Sequence, residues 1–554
     1  MQMARWIRDR RRVSAPVSIL ALVLATLSTA ALTGAFTGAS GAPGPKLDRQ
    51  QVAQHILKTK AAGLMTAPAQ AALHILATGD KQLAPGLLNH GPSRPASGGA
   101  APPAPAFSNV RVNDPSLDTH QVDQTTQSET TIAVAGSNVA VGYNDSQQTG
   151  LFLTAGSNLS GYSYSTDGGA SFTDGGTIPN TPEFVNFGDP WLASDRAGAM
   201  YYSTLAFDLF NINLDIAVAR SSDGGKTFGT PVPVYRPPFE VFYTGDKEAI
   251  AAGPDPTVKT RDDVYVAWDD FSFNFNTGEF FTGLPVAHST DGGATWQVVY
   301  ADKFDLNMAG CSFQQYIGAT PIVDGKDGTL YVVAEKLAVN DPDCTGTAPL
   351  QLSESIFRST DGGQTFGPGV KIADVTQAVP DGLLFLGPGR YMRNLELPTI
   401  ALRGNAIYVA WNDGAQGKSH IRLAASTDGG QSWSLSSATQ GSGDEVQPAL
   451  SADSKGIHLL YYQRNKDNTL DVLVGNSPTG AAFVTRRVTT RSFQGTLTIP
   501  QFDPIIAFGY MGDYIANVSD GSRQYFAWGD NRNGVTDFLF PSGRNDPDVF
   551  LAVQ

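Results

Sequence analysis

From residue 107 onward the apolar residues come in short runs. Many alternate with polar positions, and the runs are rich in β-branched and aromatic types and bounded by Gly, Asp, Asn or Pro. That pattern predicts strands joined by tight turns, with no long helix. Before it, residues 48–77 predict two short helices split at Pro68: Val52, Ala53, Ile56 and Leu57 share one face of the first, and Ala69, Ala72, Leu73 and Leu76 one face of the second. Residues 85–105 are mostly Pro, Gly, Ala and Ser, which reads as a linker.

The start of the chain has a different pattern. Arg5, Arg8, Arg10, Arg11 and Arg12 stand against a single acid, Asp9; an apolar run from Val17 to Phe36 follows, and then small residues to Ala42. Basic, apolar, then small is the order of a secretory signal peptide. At helical rise the run also reaches across a bilayer, so an uncleaved anchor is the alternative. The expected organisation is an export signal or anchor over 1–42, a helical segment and linker over 43–106, and one all-β domain over 107–554.

Two patterns repeat through that domain. STDGGASF (Ser165–Phe172), SSDGGKTF (Ser221–Phe228), STDGGATW (Ser289–Trp296), STDGGQTF (Ser359–Phe366) and STDGGQSW (Ser426–Trp433) start 56, 68, 70 and 67 residues apart, and NSPTGAAF (Asn476–Phe483) is a worn sixth copy. Alternating with them are seven strand–turn–strand segments, beginning at Glu129, Asp189, Lys247, Ala319, Glu396, Val446 and Gly512. Each unit therefore predicts four antiparallel strands, and radial repetition of such units predicts a seven-bladed β-propeller, with six blades if one unit is an embellishment. The last unit is one strand short, and Phe107–Val112 is placed to supply it.

The octamer resembles the Asp box of the sialidase (BNR-repeat) superfamily, and the resemblance covers nearly all of 107–554. The Asp side chain accepts hydrogen bonds from turn amides and the paired glycines permit positive φ, so Asp167, Asp223, Asp291, Asp361 and Asp428 are expected to build turns. The resemblance puts the ligand site on the opposite rim. There the loops that begin each unit offer Glu129, Asp189, Asp246, Lys247, Glu248, Glu396, Glu445, Gln447 and Asp513, and the loops after the second strands offer Asp145, Asp269, Asp270, Asp413 and others.

Hydrolysis of the sialidase type, as the resemblance implies it, takes an arginine cluster for a substrate carboxylate, a Tyr nucleophile with a Glu partner, and an Asp acid/base. The residues matching those roles are Arg393, Arg464 and Arg532 for substrate binding, with Tyr510, Glu396 and Asp145 or Asp189 for catalysis. The arginine-bearing opening segment usual in sialidases has only Arg111-Val112-Asn113 as its nearest counterpart, in the stretch assigned to the closing strand.

Composition narrows the remaining choices. A net charge of −14 with 16% charged and 41% hydrophobic residues excludes a disordered chain and argues against a nucleic-acid surface. Two cysteines exclude a disulfide scaffold; Cys311 and Cys344 are candidates for one bond after export. The seven His have no metal-ligand spacing, so neither a metal nor a cofactor is expected. The expected protein is a secreted monomer acting on a glycan as a sialidase-type exo-glycosidase, touching a membrane only through an uncleaved leader. A non-catalytic propeller that binds glycans or proteins is the alternative.

Overall fold

The computed structural model describes residues 49–58, 67–78, 106–117, 126–148, 154–306, 311–343, 345, 347–379, 382–495, 511–536, 541 and 543–554. The predicted leader and linker, Tyr510 and Cys344 lie outside them. Strands dominate; six of the seven sequence units supply four strands of an antiparallel meander, and the last supplies three. In unit 1 its strands are Gln127–Ala135, Asn138–Asp145, Ser160–Ser165 and Thr173–Thr177. Unit 3 is the longest, with Val241–Pro254, Asp262–Asn274, Phe280–Ser289 and Gln297–Asp305. A single parallel pairing, Thr244 with Leu214, fuses its sheet to that of unit 2.

The octamers build the turns between third and fourth strands. In the first, Asp167 Oδ1 accepts the backbone N–H of Ala170 and of Ser171, both at 3.0 Å, while Oδ2 accepts the Ser171 hydroxyl at 2.6 Å. Ser165 Oγ accepts the Gly169 N–H at 2.9 Å. Gly168 and Gly169 have φ of 76° and 87°, the left-handed conformation only glycine adopts freely. The Asp contacts recur around Asp223, Asp291, Asp361 and Asp428. In the worn copy the turn is one residue tighter: Gly480 donates to Ser477 Oγ, and Pro478 stands where the acid would.

Between sheets the core is aromatic and aliphatic. Trp268, Trp411 and Trp528 hold the same place in the second strands of units 3, 5 and 7, and all are fully buried. The first strand of each unit packs beside the first strand of the next, and Ala516–Ser519 of unit 7 packs beside Gln127–Ala135 of unit 1. The last sheet is completed from the other end of the chain, where Val110 pairs with Leu551 and Arg111 with Phe550.

Two helices precede the sheets, α1 (Arg49–Ile56) and α2 (Ala67–Thr78). α2 begins at Ala67 and carries Pro68 inside its first turn rather than ahead of it, because a proline there gives up an N–H that has no intrahelical partner. Leu73, Ile75 and Ala77 of α2 are buried in one apolar cluster with Phe242, Phe271 and Phe273 of unit 3. Among the described residues no helix is long and apolar enough to cross a membrane. Cys311 is disulfide-bonded.

Candidate functional site

The first strands carry a repeated irregularity near their starts. The pairing register slips between Ser128 and Thr131, between Asp246 and Ala249, and between Val446 and Ala449. The residues at these bulges and at the matching place in unit 2 have positive φ although none is glycine: Glu129 (53°), Asp189 (53°), Lys247 (49°) and Gln447 (51°). Such conformations are strained by roughly 1–3 kcal/mol each and are held only where the surroundings impose them. Part of the restraint comes from the preceding unit, since Asn144 Oδ1 accepts the Asp189 N–H at 2.6 Å and Asn412 Oδ1 accepts that of Gln447 at 3.3 Å.

The bulges aim their side chains at one another, at the end of the sheets away from the octamer turns. Lys247 Nζ lies 3.3 Å from Glu129 Oε1, 3.3 Å from Asp189 Oδ2, and in contact with Asp513 Oδ2. Asp513 also holds Arg393, whose Nε donates to Oδ1 at 2.8 Å. Gln447 Nε2 donates to the Gly512 carbonyl at 2.6 Å, and Asn144 Nδ2 to Glu129 Oε2 at 2.9 Å. Three carboxyls and two cations from units 1, 2, 3 and 7 and the segment ahead of unit 5 thus form one buried network.

Burial sets the charge states. Glu129 is pushed up to about 8, first by burial and then by the neighbouring Asp189. Burial works the same way on Asp513, but Arg393 and Lys247 overcome it and hold that carboxyl at about 2. Lys247, opposed by burial, is kept charged by Asp189, Asp513 and Glu129. Burial thus pushes Glu129 towards its neutral form, while the two cations keep Asp513 ionised.

The first strands of all seven units line a cavity of ≈ 240 Å³ with Lys247, Glu248 and Asp513 in its wall. Glu248 is 2% exposed, and neither of its carboxyl oxygens has a hydrogen-bond partner. Burial first, and then Asp189, raise its pKa well above the usual carboxyl range. A carboxyl pushed towards its neutral form and an ionised carboxylate among the lining residues of one cavity are the kind of pairing that acid-assisted bond cleavage uses.

Of the residues singled out in the sequence, Asp189 and Arg393 are brought together here through Lys247 and Asp513. Glu396 lies elsewhere and accepts the Ala378 N–H at 2.8 Å. Asp145 caps its strand end, accepting from Gln127 Nε2 at 3.3 Å and from the Gln147 N–H at 3.0 Å. The three arginines are engaged by three different acids. Arg464 pairs with Asp444 and donates to the Phe385 carbonyl at 2.8 Å. Arg532 donates to Asp530 Oδ2 and to Asn109 Oδ1, both at 2.8 Å.

No protein-family model matches the chain. No curated protein matches it either. Among solved structures it is similar to the GH93 α-L-arabinofuranosidase of Fusarium graminearum in complex with arabinobiose, at 11% identity over 81% of this chain and 97% of that one, TM-score 0.41. It is also similar to the phage phi92 endosialidase, at 10% identity over 81% of this chain and 68% of that one, TM-score 0.41. A third is the Trypanosoma rangeli sialidase in complex with sialic acid, at 12% identity over 68% of this chain and 55% of that one, TM-score 0.37. These neighbours are glycosidases related to the sialidase superfamily. At such identities and scores the likeness decides nothing about this chain's chemistry, which rests on its own residues.

A second buried acidic group surrounds Glu396. Glu335 and Glu354 face each other across adjacent strands of unit 4, and both oxygens of Glu354 are buried without a partner. Burial, then the neighbouring acids, raise both well above the ordinary range; Glu396 is pushed up to about 8 by burial first, with Asp413 adding to it. Among the described residues no group of His, Cys, Asp or Glu is arranged to hold a metal ion.

Sequence reasoning placed Glu129, Lys247, Glu248 and Asp513 at the end of the units away from the octamer turns, where the structure has them, but gave them no role. Their equivalent positions at the starts of the first strands were the available signal.

Proposed function

We propose that this chain is an exported, carbohydrate-active β-propeller of seven blades, with its glycan site at the axial cavity. The unbroken succession of neighbouring first strands, from unit 1 round to unit 7 and back, supports a closed ring. The disulfide-bonded Cys311 supports an oxidising destination, as the leader pattern does.

The observation that carries the reading is the cavity wall itself, whose lining residues include Glu248, its buried carboxyl pushed towards the neutral form, and Asp513, held ionised by Arg393 and Lys247. In hydrolysis Glu248 gives its proton to the leaving oxygen as the glycosidic C–O bond breaks, Asp513 stabilises the positive charge that develops on the sugar ring, and water then adds at the anomeric carbon and returns a proton to Glu248. Lys247 and Arg393 hold the Asp513 carboxylate in place.

The test is turnover of a broad panel of fluorogenic glycosides, sialosides included, by the purified exported form and by Glu248→Gln. Turnover that falls at least ~100-fold in Glu248→Gln is expected for a general acid. Turnover that survives the substitution refutes the assignment.

One observation favours a second reading, a non-catalytic glycan-binding propeller: the charges of the axial network are already matched internally, as in a latch that fixes the ring. Binding on a glycan array without turnover on any glycoside would select it.

A further inference from the structure

Away from the axis, unit 6 carries a groove of its own. In the second strands, Tyr143, Trp268, Trp411 and Trp528 each follow a small residue, Gly142, Ala267, Ala410 and Ala527, that pairs with the first strand. By the same pairing Tyr461 holds that aromatic place in unit 6, after the larger Leu460. Tyr461 belongs to the apolar cluster shared by units 5 and 6, and it walls an open groove of ≈ 560 Å³ between the connection Ser437–Glu445 and the turn around Ala481–Phe483. That volume lies within the roughly 300–1,000 Å³ of small-molecule sites.

The lining has a definite chemistry. Glu445 is buried, its Oε1 accepting the Gly441 N–H at 3.1 Å and its Oε2 lying 2.8 Å from His420 Nδ1, so its carboxylate is fixed in the wall. Gln463 and Thr485 add amide and hydroxyl groups, and half-buried Phe483 an aromatic face, while Tyr461 is buried beneath the groove. No Lys or Arg is among the lining residues, so nothing there matches an anion. An aromatic face beside hydroxyl, amide and carboxylate groups suits a ring with apolar C–H faces and many neutral hydroxyls.

We propose that this groove is a second carbohydrate site that takes a neutral oligosaccharide. It is separate in position and in ligand charge from the axial cavity, and it stands whether or not the axial site is catalytic.

The test titrates the full exported protein calorimetrically with cellotriose, xylotriose, maltotriose and arabinotriose up to about 20 mM. Ala482→Arg and Thr485→Arg obstruct the groove from exposed rim positions that leave the core intact, and Glu248→Gln serves as the axial control. The expected result is binding of at least one trisaccharide that persists in Glu248→Gln and weakens at least about tenfold in both rim variants. Absence of binding across the panel overturns the proposal. So does binding that the rim variants leave unchanged, or binding that Glu248→Gln abolishes. Glycoside turnover in the rim variants reports on the axial reading separately.

Discussion

Replacing Glu396 by Gln should flatten the pH dependence of stability in a calculable way. The native carboxyl titrates at about 8 against an ordinary 4.5, because burial and Asp413 disfavour its charge. Between those two values the folded protein keeps a proton that the unfolded chain has lost. The proton-linked contribution is therefore fully present below pH 4.5 and is lost as the pH rises through 8. At 1.36 kcal/mol per pH unit, the interval corresponds to roughly 4–5 kcal/mol for this group alone. Gln is uncharged at every pH, and its amide oxygen can still accept the Ala378 N–H. Urea unfolding at pH 5 and pH 9 reads the effect directly: wild type should lose on the order of 4 kcal/mol more than Glu396→Gln between the two conditions. Equal losses would show that Glu396 is ionised in the native protein and would refute the account of this acidic group.

Other substitutions probe the remaining assignments. Lys247→Met leaves Glu129, Asp189 and Asp513 facing one another without their shared cation, and should destabilise the fold by about 3–5 kcal/mol in denaturant titrations. Asp361→Ala removes hydrogen bonds from a single turn, so a loss of about 1–2 kcal/mol is expected with glycoside turnover or glycan binding unchanged; a selective loss of activity would contradict the turn-building role. Arg464→Gln should lower the melting temperature, since Asp444 is left buried without its partner, while ligand affinity at the axial cavity stays within a factor of about two; a large loss of affinity for an acidic sugar would instead place Arg464 in the clamp. Finally, a catalytic Glu248 predicts activity that declines on the alkaline side of the pH profile as that carboxyl ionises, and a rate still rising there would exclude it as the proton donor.

Much of the scaffold was legible because it is local. Ser165, Asp167, Gly168 and Gly169 close a turn within five residues, and copies at similar spacing announce a repeating sheet. The closing strand was legible for the same kind of reason: the last unit lacked a strand, and Val110–Arg111 supplies it. The axial network was harder to read because its members are brought together only when distant units meet. Lys247 meets Glu129 across 118 positions, and the Asp513 N–H meets Glu129 Oε1 across 384. The positive φ angles were hidden as well, since Glu129, Asp189 and Lys247 are not residues that advertise a left-handed backbone. The arginines illustrate a different gap. Three Arg-Asn pairs in similar loops suggest one common partner, whereas the fold supplies each guanidinium with its own acid, Asp513, Asp444 and Asp530.

The pairing of Val110–Arg111 with the final strand has a consequence for how the molecule is made. A ribosome delivers the chain from one end, so the sheet that joins Val110–Arg111 to the final strand stays unfinished until Arg544–Val553 arrives. A product that stops before Arg544 would lack the clasp altogether, however well its earlier units had formed. Conversely, opening the backbone at an octamer turn and linking the final strand covalently to Val110–Arg111 would give a rearranged chain with the same clasp made permanent.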